Sequence, residues 1–188
     1  IVEQAMTDGA LGLSTGLFYV PGTFTPTDEV IALAKVAGRF GGMHASHQRD
    51  DASGVLDSVR ETIAIGVGGA LPTQISHVKV IGAANFGKSV DILSLVDEAR
   101  ARGVDVTMDQ YPYTASSTSV SAALLPAWAL EGNRAAQLAR LKDPATRARI
   151  KATTATMIRD ERGGGDPKNV QFANCGFDAK LAGKTLAD

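Results

Sequence analysis

A cycle that repeats through residues 1–112 is the feature that most constrains the fold. In each cycle a helical pattern ends at glycine, a short apolar run follows, and a polar loop leads into the next helical pattern. The apolar runs are residues 10–16, 43–47, 72–80 and 104–111. Strands that alternate with helices about every 30 residues indicate βαβ units, whose right-handed crossovers build a parallel sheet. The pattern therefore predicts an α/β protein, either a doubly wound sheet or part of a (β/α)8 barrel.

The helical patterns between these runs have recognisable ends. Thr27, followed by two acidic residues, is typical of a helix start, and this helix is expected to reach Phe40. The next helix is expected to end at Ile65, because the glycine-rich segment 66–69 follows it. A third helix carries apolar residues at helical spacing, namely Val90, Leu93, Val96 and Ala99.

The composition of the chain changes after Tyr113. Residues 135–152 form a basic helical pattern interrupted at Asp143-Pro144, and residues 170–173 are expected to form one more strand. We therefore interpret residues 1–113 as a barrel segment. Residues 114–188 are interpreted as a helical insertion or lid that ends with the start of a further helix.

Charge and composition argue against several classes of partner. The 188 residues carry 19 basic and 20 acidic side chains, so no basic excess exists to neutralise nucleic-acid phosphates. Aromatic residues make up only 5% of the chain, too few for a base-stacking surface. No apolar stretch approaches the roughly 20 residues of a membrane helix. The single cysteine, Cys175, cannot form an internal disulfide, and we expect a cytoplasmic protein with no nucleic-acid or membrane partner.

Two of the three histidines end consecutive apolar runs. His47 closes the second run, and His77 closes the phrase Gln74-Ile75-Ser76-His77 in the third. In parallel α/β sheets the active site lies at the carboxyl ends of the strands. Adjacent strands are about 4.8 Å apart, so two imidazoles at the same height can reach one metal ion. The alternative is two unrelated histidines at strand ends. His44 belongs to the opposite strand face and is expected to be packed or hydrogen-bonded instead.

Two cations follow these histidines at the same spacing. Arg49 and Lys79 each lie two residues after a strand-end histidine, so each shares its face if the chain stays extended. A cation there suits a substrate carboxylate or a developing oxyanion. Arg49 is followed by two aspartates and is equally interpretable as a solvated loop charge.

The fourth apolar run ends in a polar and aromatic segment. Asp109 and Tyr111 share one strand face, and a strand-end tyrosine can donate a hydrogen bond to a polarised carbonyl. Both residues can also be structural, since Pro112 marks a rigid turn that needs anchoring. Ser116 follows within reach of the same rim.

Five segments together resemble one known family. They are Gly9–Leu17 (GALGLSTGL), Tyr19 with Pro21-Gly22, Ser46-His47 with Arg49-Asp50, Gln74–His77 with Lys79, and Asp109–Ser117 (DQYPYTASS). In this order and spacing they closely resemble the N-acyl-D-amino-acid deacylases, or D-aminoacylases, of the amidohydrolase superfamily of metal-dependent (β/α)8 barrels. The resemblance implies that the chain covers about strands four to seven of such a barrel.

The resemblance also implies a reaction and a set of residues. The reaction is zinc-assisted hydrolysis of a small N-acyl-D-amino acid to a D-amino acid and a carboxylate. His47 and His77 match the metal-binding histidines of the fifth and sixth strands. Four residues fall where the family places substrate contacts: Tyr19, Lys79, Ser116 and Tyr111, with Tyr113 an alternative to the last. Arg49 is retained as a further substrate-binding candidate from its position after His47.

Departures from the family limit these expectations. The family's His-x-His pair, its metal-binding cysteine and its catalytic aspartate on the eighth strand are not in this chain. We therefore expect no catalytic residue within it and little or no activity from it alone. Asp51 stands where glutamate is expected, and Phe86 where tryptophan is expected.

Two other functions remain open at this point. An amidohydrolase that acts on cyclic amides usually carries a carboxylated lysine on its fourth strand, and the corresponding run, residues 10–16, contains no lysine. A non-catalytic half barrel would expose two sheet edges and apolar faces, and we expect such a chain to self-associate.

Overall fold

The computed structural model describes residues 1–188, which divide into two compact units. The first unit comprises residues 1–80 and 86–112, and the second comprises residues 81–85 and 113–188. The elements of the first unit alternate along the chain. They are α1 (Val2–Thr7), β1 (Gly12–Gly16), α2 (Thr27–Arg39), β2 (Met43–His47), α3 (Val55–Gly69), β3 (Thr73–Ile75), α4 (Ser89–Ala101) and β4 (Val106–Met108).

The four strands form one sheet in the order β1-β2-β3-β4, and every neighbouring pair is parallel. The register joins Gly16 to His47, Ser46 to Ile75, and Ile75 to Met108. All four strands therefore end at the same edge of the sheet. The predicted α/β class with a parallel sheet is confirmed.

Two apolar clusters hold the helices on the sheet. One joins α3 and α4 to β3 and β4, and it consists of Val55, Val59, Ile63, Ile75, Ile92, Val96, Ala99 and Val106. The other joins α1, α2 and α3, and it consists of Met6, Leu17, Val30, Ala34, Ala37, Ile65 and Leu71. Each fully buried aliphatic side chain stabilises the fold by roughly 1.5–3 kcal/mol relative to an exposed one.

Helix α3 does not end at Ile65, so that prediction is wrong. The helix continues through the glycine-rich segment to Gly69, where the glycines allow close packing instead of ending the helix. A Cβ atom at Gly66 would lie 2.7 Å from Thr73 Cγ2 of β3, and one at Gly69 would lie 2.8 Å from Ala34 Cβ of α2. The glycines let α3 approach its neighbours, and the helix ends only at Ala70, which has a left-handed backbone.

Strand β3 is shorter than the predicted run 72–80. Its ladder ends at Ile75 because His77 adopts a left-handed backbone with φ of 43°. This turn changes the direction of the chain, and Val78 and Val80 pack against the apolar cluster of α3 and α4 instead. Strand β4 is likewise shorter than residues 104–111.

The second unit is mainly helical. It contains α5 (Val120–Leu124), α6 (Ala127–Leu130), α7 (Arg134–Lys142) and α8 (Pro144–Asp160). The predicted break at Asp143-Pro144 is confirmed: the Asp143 carboxylate accepts a hydrogen bond from Thr146 N at 2.7 Å, and Pro144 begins α8. The predicted strand at residues 170–173 is wrong, since only a single antiparallel bridge joins Gln171 to Thr185. A lid role for this unit stays a prediction.

Neither unit has a helix that combines the length and the apolarity that crossing a membrane would require.

A buried polar group lies under the helices at the centre of the sheet. His44 is fully buried; its Nε2 lies 2.9 Å from Thr15 Oγ1 and its Nδ1 lies 2.9 Å from Thr73 Oγ1. The expectation that His44 is hydrogen-bonded within the fold is confirmed. Burial lowers the pKa of His44 to about 4 from an ordinary value of 6.5, because the charged imidazolium would lose its hydration.

This pKa predicts how stability depends on pH. The unfolded chain takes up a proton on His44 below about pH 6.5 and the folded chain only below about pH 4, so stability falls as the pH falls between these values. We expect the free energy of unfolding to be about 2 kcal/mol lower at pH 5 than at pH 7.5 from this residue alone. Urea denaturation at both pH values measures it. The His44→Gln variant should lose this part of the pH dependence, and equal pH dependence in both proteins would contradict the prediction.

Candidate metal site

The imidazoles of His47 and His77 lie together at the edge where the strands end. His47 Nδ1 is 3.1 Å from His77 Nε2, and the ring centroids are 4.5 Å apart. Parallel pairing brings the two strand ends level, since Leu17 N donates to His47 O and Ser76 N donates to Ser46 O, both at 3.0 Å. The register of neighbouring strands therefore produces the pair.

The left-handed turn at His77 is held by Asp109, which follows β4. One carboxylate oxygen of Asp109 accepts a hydrogen bond from His77 N, and the other accepts one from Gln74 Nε2 at 2.7 Å. The side-chain oxygen of Gln74, Oε1, in turn accepts a hydrogen bond from the Thr107 hydroxyl. This chain of contacts fixes the backbone of His77, and with it the direction of the imidazole.

Lys79 lies beside His77 and is paired with a buried carboxylate. Its Nζ is 2.8 Å from Asp51 Oδ2, 3.2 Å from His77 Nδ1 and 3.3 Å from His77 O. Asp51 Oδ2 and His77 O accept from this ammonium, which can only donate. Lys79 therefore places a positive charge directly against the imidazole pair.

Asp51 connects the lysine to the other histidine. Its side chain is only 4% exposed, Oδ2 lies 3.7 Å from His47 Nε2, and Oδ1 accepts a hydrogen bond from Gln48 Nε2 at 3.1 Å. The 3.7 Å separation exceeds hydrogen-bonding distance, so Asp51 acts on His47 through its negative charge. The Asp51 carboxylate thus forms an ion pair with Lys79 and also lies near His47.

Aromatic rings border the imidazole pair. The Tyr19 and Phe18 ring centroids lie 4.8 Å and 5.6 Å from that of His47, and the Tyr111 centroid lies 6.4 Å from that of His77. The structure therefore brings five of the predicted site residues together at this edge of the sheet, namely His47, His77, Lys79, Tyr19 and Tyr111.

The other two predicted residues are placed differently. Arg49 is about one quarter exposed and is held by Glu61 and by the carbonyls of Thr23 and Thr25, so it is not a solvated loop charge. Ser116 lies in an exposed stretch of the second unit, before α5. Substrate contacts by Arg49 and Ser116 stay predictions, and for Arg49 the structure gives a different set of partners.

The imidazole pair has the donor chemistry and spacing of two zinc ligands. Two nitrogens on a tetrahedral zinc ion, each about 2.05 Å from it, are about 3.3 Å apart, close to the observed separation. No group of three or more His, Cys, Asp or Glu side chains is placed to hold a metal ion. The residues present therefore fit part of a zinc site.

Sequence reasoning missed two of the residues that build this site. Asp51 attracted notice only as a departure from the family pattern, because its partner Lys79 is far away in the sequence. Strand alternation puts Asp109 and Tyr111 on one face but does not predict that Asp109 holds the His77 turn. Neither contact follows from a local spacing, since both depend on how loops from different strands meet.

The chain is similar to several proteins of known activity. No protein-family model matches the chain. Over 118 residues it is 42% identical to a D-aminoacylase and 43% identical to an N-acyl-D-glutamate deacylase, both from Alcaligenes xylosoxydans xylosoxydans. Each alignment covers 63% of this chain and 24% of the relative, so the chain spans about a quarter of the length of the curated relatives it matches.

Solved structures lead to the same family. The chain is similar to a D-aminoacylase described as defining a novel subset of amidohydrolases, with a TM-score of 0.58 and 39% identity over 61% of this chain and 24% of that one. It is also similar to an N-acyl-D-glutamate deacylase from Bordetella bronchiseptica in complex with zinc and a phosphonate inhibitor, with a TM-score of 0.55 and 42% identity over 59% and 25%.

A third likeness extends over nearly the whole chain. A D-aminoacylase studied for its binuclear metal centre matches with a TM-score of 0.68 and 27% identity, over 98% of this chain and 30% of that one. The resemblance to N-acyl-D-amino-acid deacylases and the partial barrel that it implies are confirmed.

The pairing of Asp51 with Lys79 predicts an asymmetric response to substitution. Asp51→Asn leaves a largely buried ammonium without its carboxylate, and we expect it to lower the free energy of unfolding by about 2–4 kcal/mol. Adding Lys79→Met to this variant should recover part of the loss, because the uncompensated charge is removed. Chemical denaturation of the unsubstituted chain and of the two variants measures both effects.

The matched control is an exposed ion pair on α3. Asp57→Asn breaks the 2.8 Å pair with Arg60 and should change stability by no more than about 0.5 kcal/mol. An equally small effect of Asp51→Asn would contradict the buried ion pair.

Proposed function

We propose that this chain, a homologue of part of the D-aminoacylases, supplies part of the active site of a zinc-dependent N-acyl-D-amino-acid deacylase. The reaction is hydrolysis of the amide bond of a small N-acyl-D-amino acid, which gives a D-amino acid and a carboxylate. The observation that supports the proposal most directly is the imidazole pair, with nitrogens 3.1 Å apart at neighbouring strand ends.

His47 and His77 would hold the zinc ion. When bound, zinc lowers the pKa of its water toward about 7 and polarises the amide carbonyl. Asp51 at the outer nitrogen of His47 and Asp109 at the backbone of His77 hold the two imidazoles in place. Little reorganisation is then needed for both histidines to act as ligands.

Lys79 supplies the positive charge next to this pair. Its ammonium is held by Asp51, so its charge is fixed in position rather than free to rotate in solvent. A fixed cation is suited to bind the substrate carboxylate or the oxyanion that develops on the carbonyl. Tyr19 and Tyr111, one beside each histidine, carry phenols that can donate to the same groups. We assign Ser116 a substrate contact on the resemblance alone.

The proposal is tested on the full-length polypeptide encoded by the reading frame that contains this chain, because the chain matches only 24% of its relatives. We expect release of D-amino acids from N-acetyl-D-amino acids and little from the L enantiomers. His47→Asn and His77→Asn should each lower kcat/KM by about a thousandfold or more and reduce the bound zinc measured by elemental analysis.

Asp57→Asn is the control variant and should retain full activity and zinc. Hydrolysis of cyclic amides in place of linear N-acyl substrates would favour an amidohydrolase that acts on cyclic amides. Full activity of both histidine variants would rule out the zinc assignment.

The chain on its own provides a second test. Two imidazoles are fewer than the three protein ligands that catalytic zinc usually has, so we expect weak zinc binding and no measurable deacylase activity. Calorimetric titration with zinc should give a signal that His77→Ala removes. A metal-free dimer in light scattering, with no zinc signal, would instead favour a non-catalytic half barrel.

A further inference from the structure

The loop between β1 and α2, residues 17–26, carries the aromatic side of the candidate site. Phe18 and Tyr19 in this loop lie against the His47 ring. Backbone hydrogen bonds close turns within the loop, as from Thr23 N to Tyr19 O at 2.9 Å and from Thr25 N to Gly22 O at 3.0 Å. Such local turns set the shape of the loop, but they do not set its position relative to the rest of the sheet edge.

Arg49 makes the contacts that tie this loop down. Its Nη1 donates to Thr23 O at 2.8 Å, and its Nη2 donates to Thr25 O at 2.9 Å. The same guanidinium forms a two-point contact with Glu61 of α3, from Nε to Oε2 and from Nη2 to Oε1, both at 2.8 Å. One side chain thus joins two loop carbonyls to helix α3.

Thr27 completes the arrangement from the start of α2. Its hydroxyl donates to Glu61 Oε1 at 2.7 Å instead of capping its own helix. We call Arg49, Glu61 and Thr27 the loop clamp. Arg49 and Thr27 therefore hold the second half of the loop and the helix that follows it, while Leu17 N holds the start of the loop by donating to His47 O at 3.0 Å.

The electrostatics of the loop clamp favour a permanent contact. Burial alone would raise the pKa of Glu61, but hydrogen bonds from Arg49 and Thr27 outweigh it, and the pKa lies below its usual value. The hydrogen bond to Glu61 raises the pKa of Arg49. Both groups therefore stay charged. Charge-assisted two-point contacts of this kind are strong and fix the angle as well as the distance.

We propose that the loop clamp is a positioning device that sets where Phe18 and Tyr19 lie over His47. Arg49 is in this view a positioning residue and not a substrate ligand. Because Arg49 follows His47 by two residues, the residue that fixes the loop is also fixed to the end of β2. Lysine cannot replace it, since an ammonium lacks the planar fork that reaches two carbonyls and a carboxylate together.

The three histidines of the chain make a direct test possible by NMR. The His47 ring protons should feel the ring currents of Phe18 and Tyr19. In Arg49→Lys and Glu61→Gln we expect the chemical shifts of these protons to move toward those of an unperturbed histidine as the two rings withdraw. The His44 resonances should not move, since that ring is held by Thr15 and Thr73. Amide hydrogen exchange in residues 17–26 should accelerate by about tenfold or more.

Arg60→Ala is the matched control, because it breaks an exposed ion pair on the same helix α3 and leaves the loop clamp intact. It should change neither the His47 shifts nor the exchange of the loop. Thr27→Val removes only one hydrogen bond of the clamp and should give smaller changes in the same direction. This milder variant keeps the test informative if Arg49→Lys or Glu61→Gln fails to fold.

Unchanged His47 shifts and loop exchange in folded Arg49→Lys or Thr27→Val would overturn the proposal. Changes in Arg60→Ala as large as those in the loop-clamp variants would also overturn it. Both readouts use the metal-free chain, so they are independent of the proposed deacylase activity. In a full-length enzyme, where the inference does rest on the proposed function, Arg49→Lys should raise KM more than it lowers kcat, because it disturbs a wall of the site rather than the reacting groups.

Discussion

The contact between the Asp109 carboxylate and the backbone of His77 determines the geometry on which the rest of the site depends. A left-handed backbone at a residue other than glycine is uncommon, and it persists only where its surroundings hold it. Here the support comes from the next strand end, together with Gln74. The turn ends β3 and directs one imidazole toward the other. The parallel sheet brings the two strand ends together, and this turn sets the direction of the His77 imidazole.

The charged side chains near this turn are paired with side chains of opposite charge. Asp51 pairs with Lys79 and lies near His47, so two titratable partners share one nearly buried carboxylate, and Lys79 also contacts His77. The Arg49–Glu61 pair is satisfied within itself and by loop carbonyls. Of the two cations at equivalent positions after a histidine, one is therefore held at the imidazole pair and the other holds a loop.

Patterns that repeat along the chain predicted the alternation of strands and helices and the convergence of His47 and His77, because strand ends in a parallel sheet must meet at one edge. The same rules could not separate Arg49 from Lys79, since both follow a histidine by two residues and only the neighbouring loops distinguish them. They also took residues 66–69 for the end of a helix. Glycine has two uses, ending a helix and allowing close approach, and only the presence of Thr73 and Ala34 nearby decides between them.

The glycine-lined side of α3 has a consequence for how this protein can vary. Methyl groups at positions 66 and 69 would push α3 away from β3 and from α2, and α3 carries Glu61 while α2 begins at Thr27. Substitution of Gly66 or Gly69 would therefore change the spacing of α2 and α3, and through it the position of the aromatic loop. Neither glycine is adjacent in sequence to His47 or His77. In a saturation library, residues 66 and 69 should tolerate almost nothing, for reasons of distance between backbones rather than of chemistry.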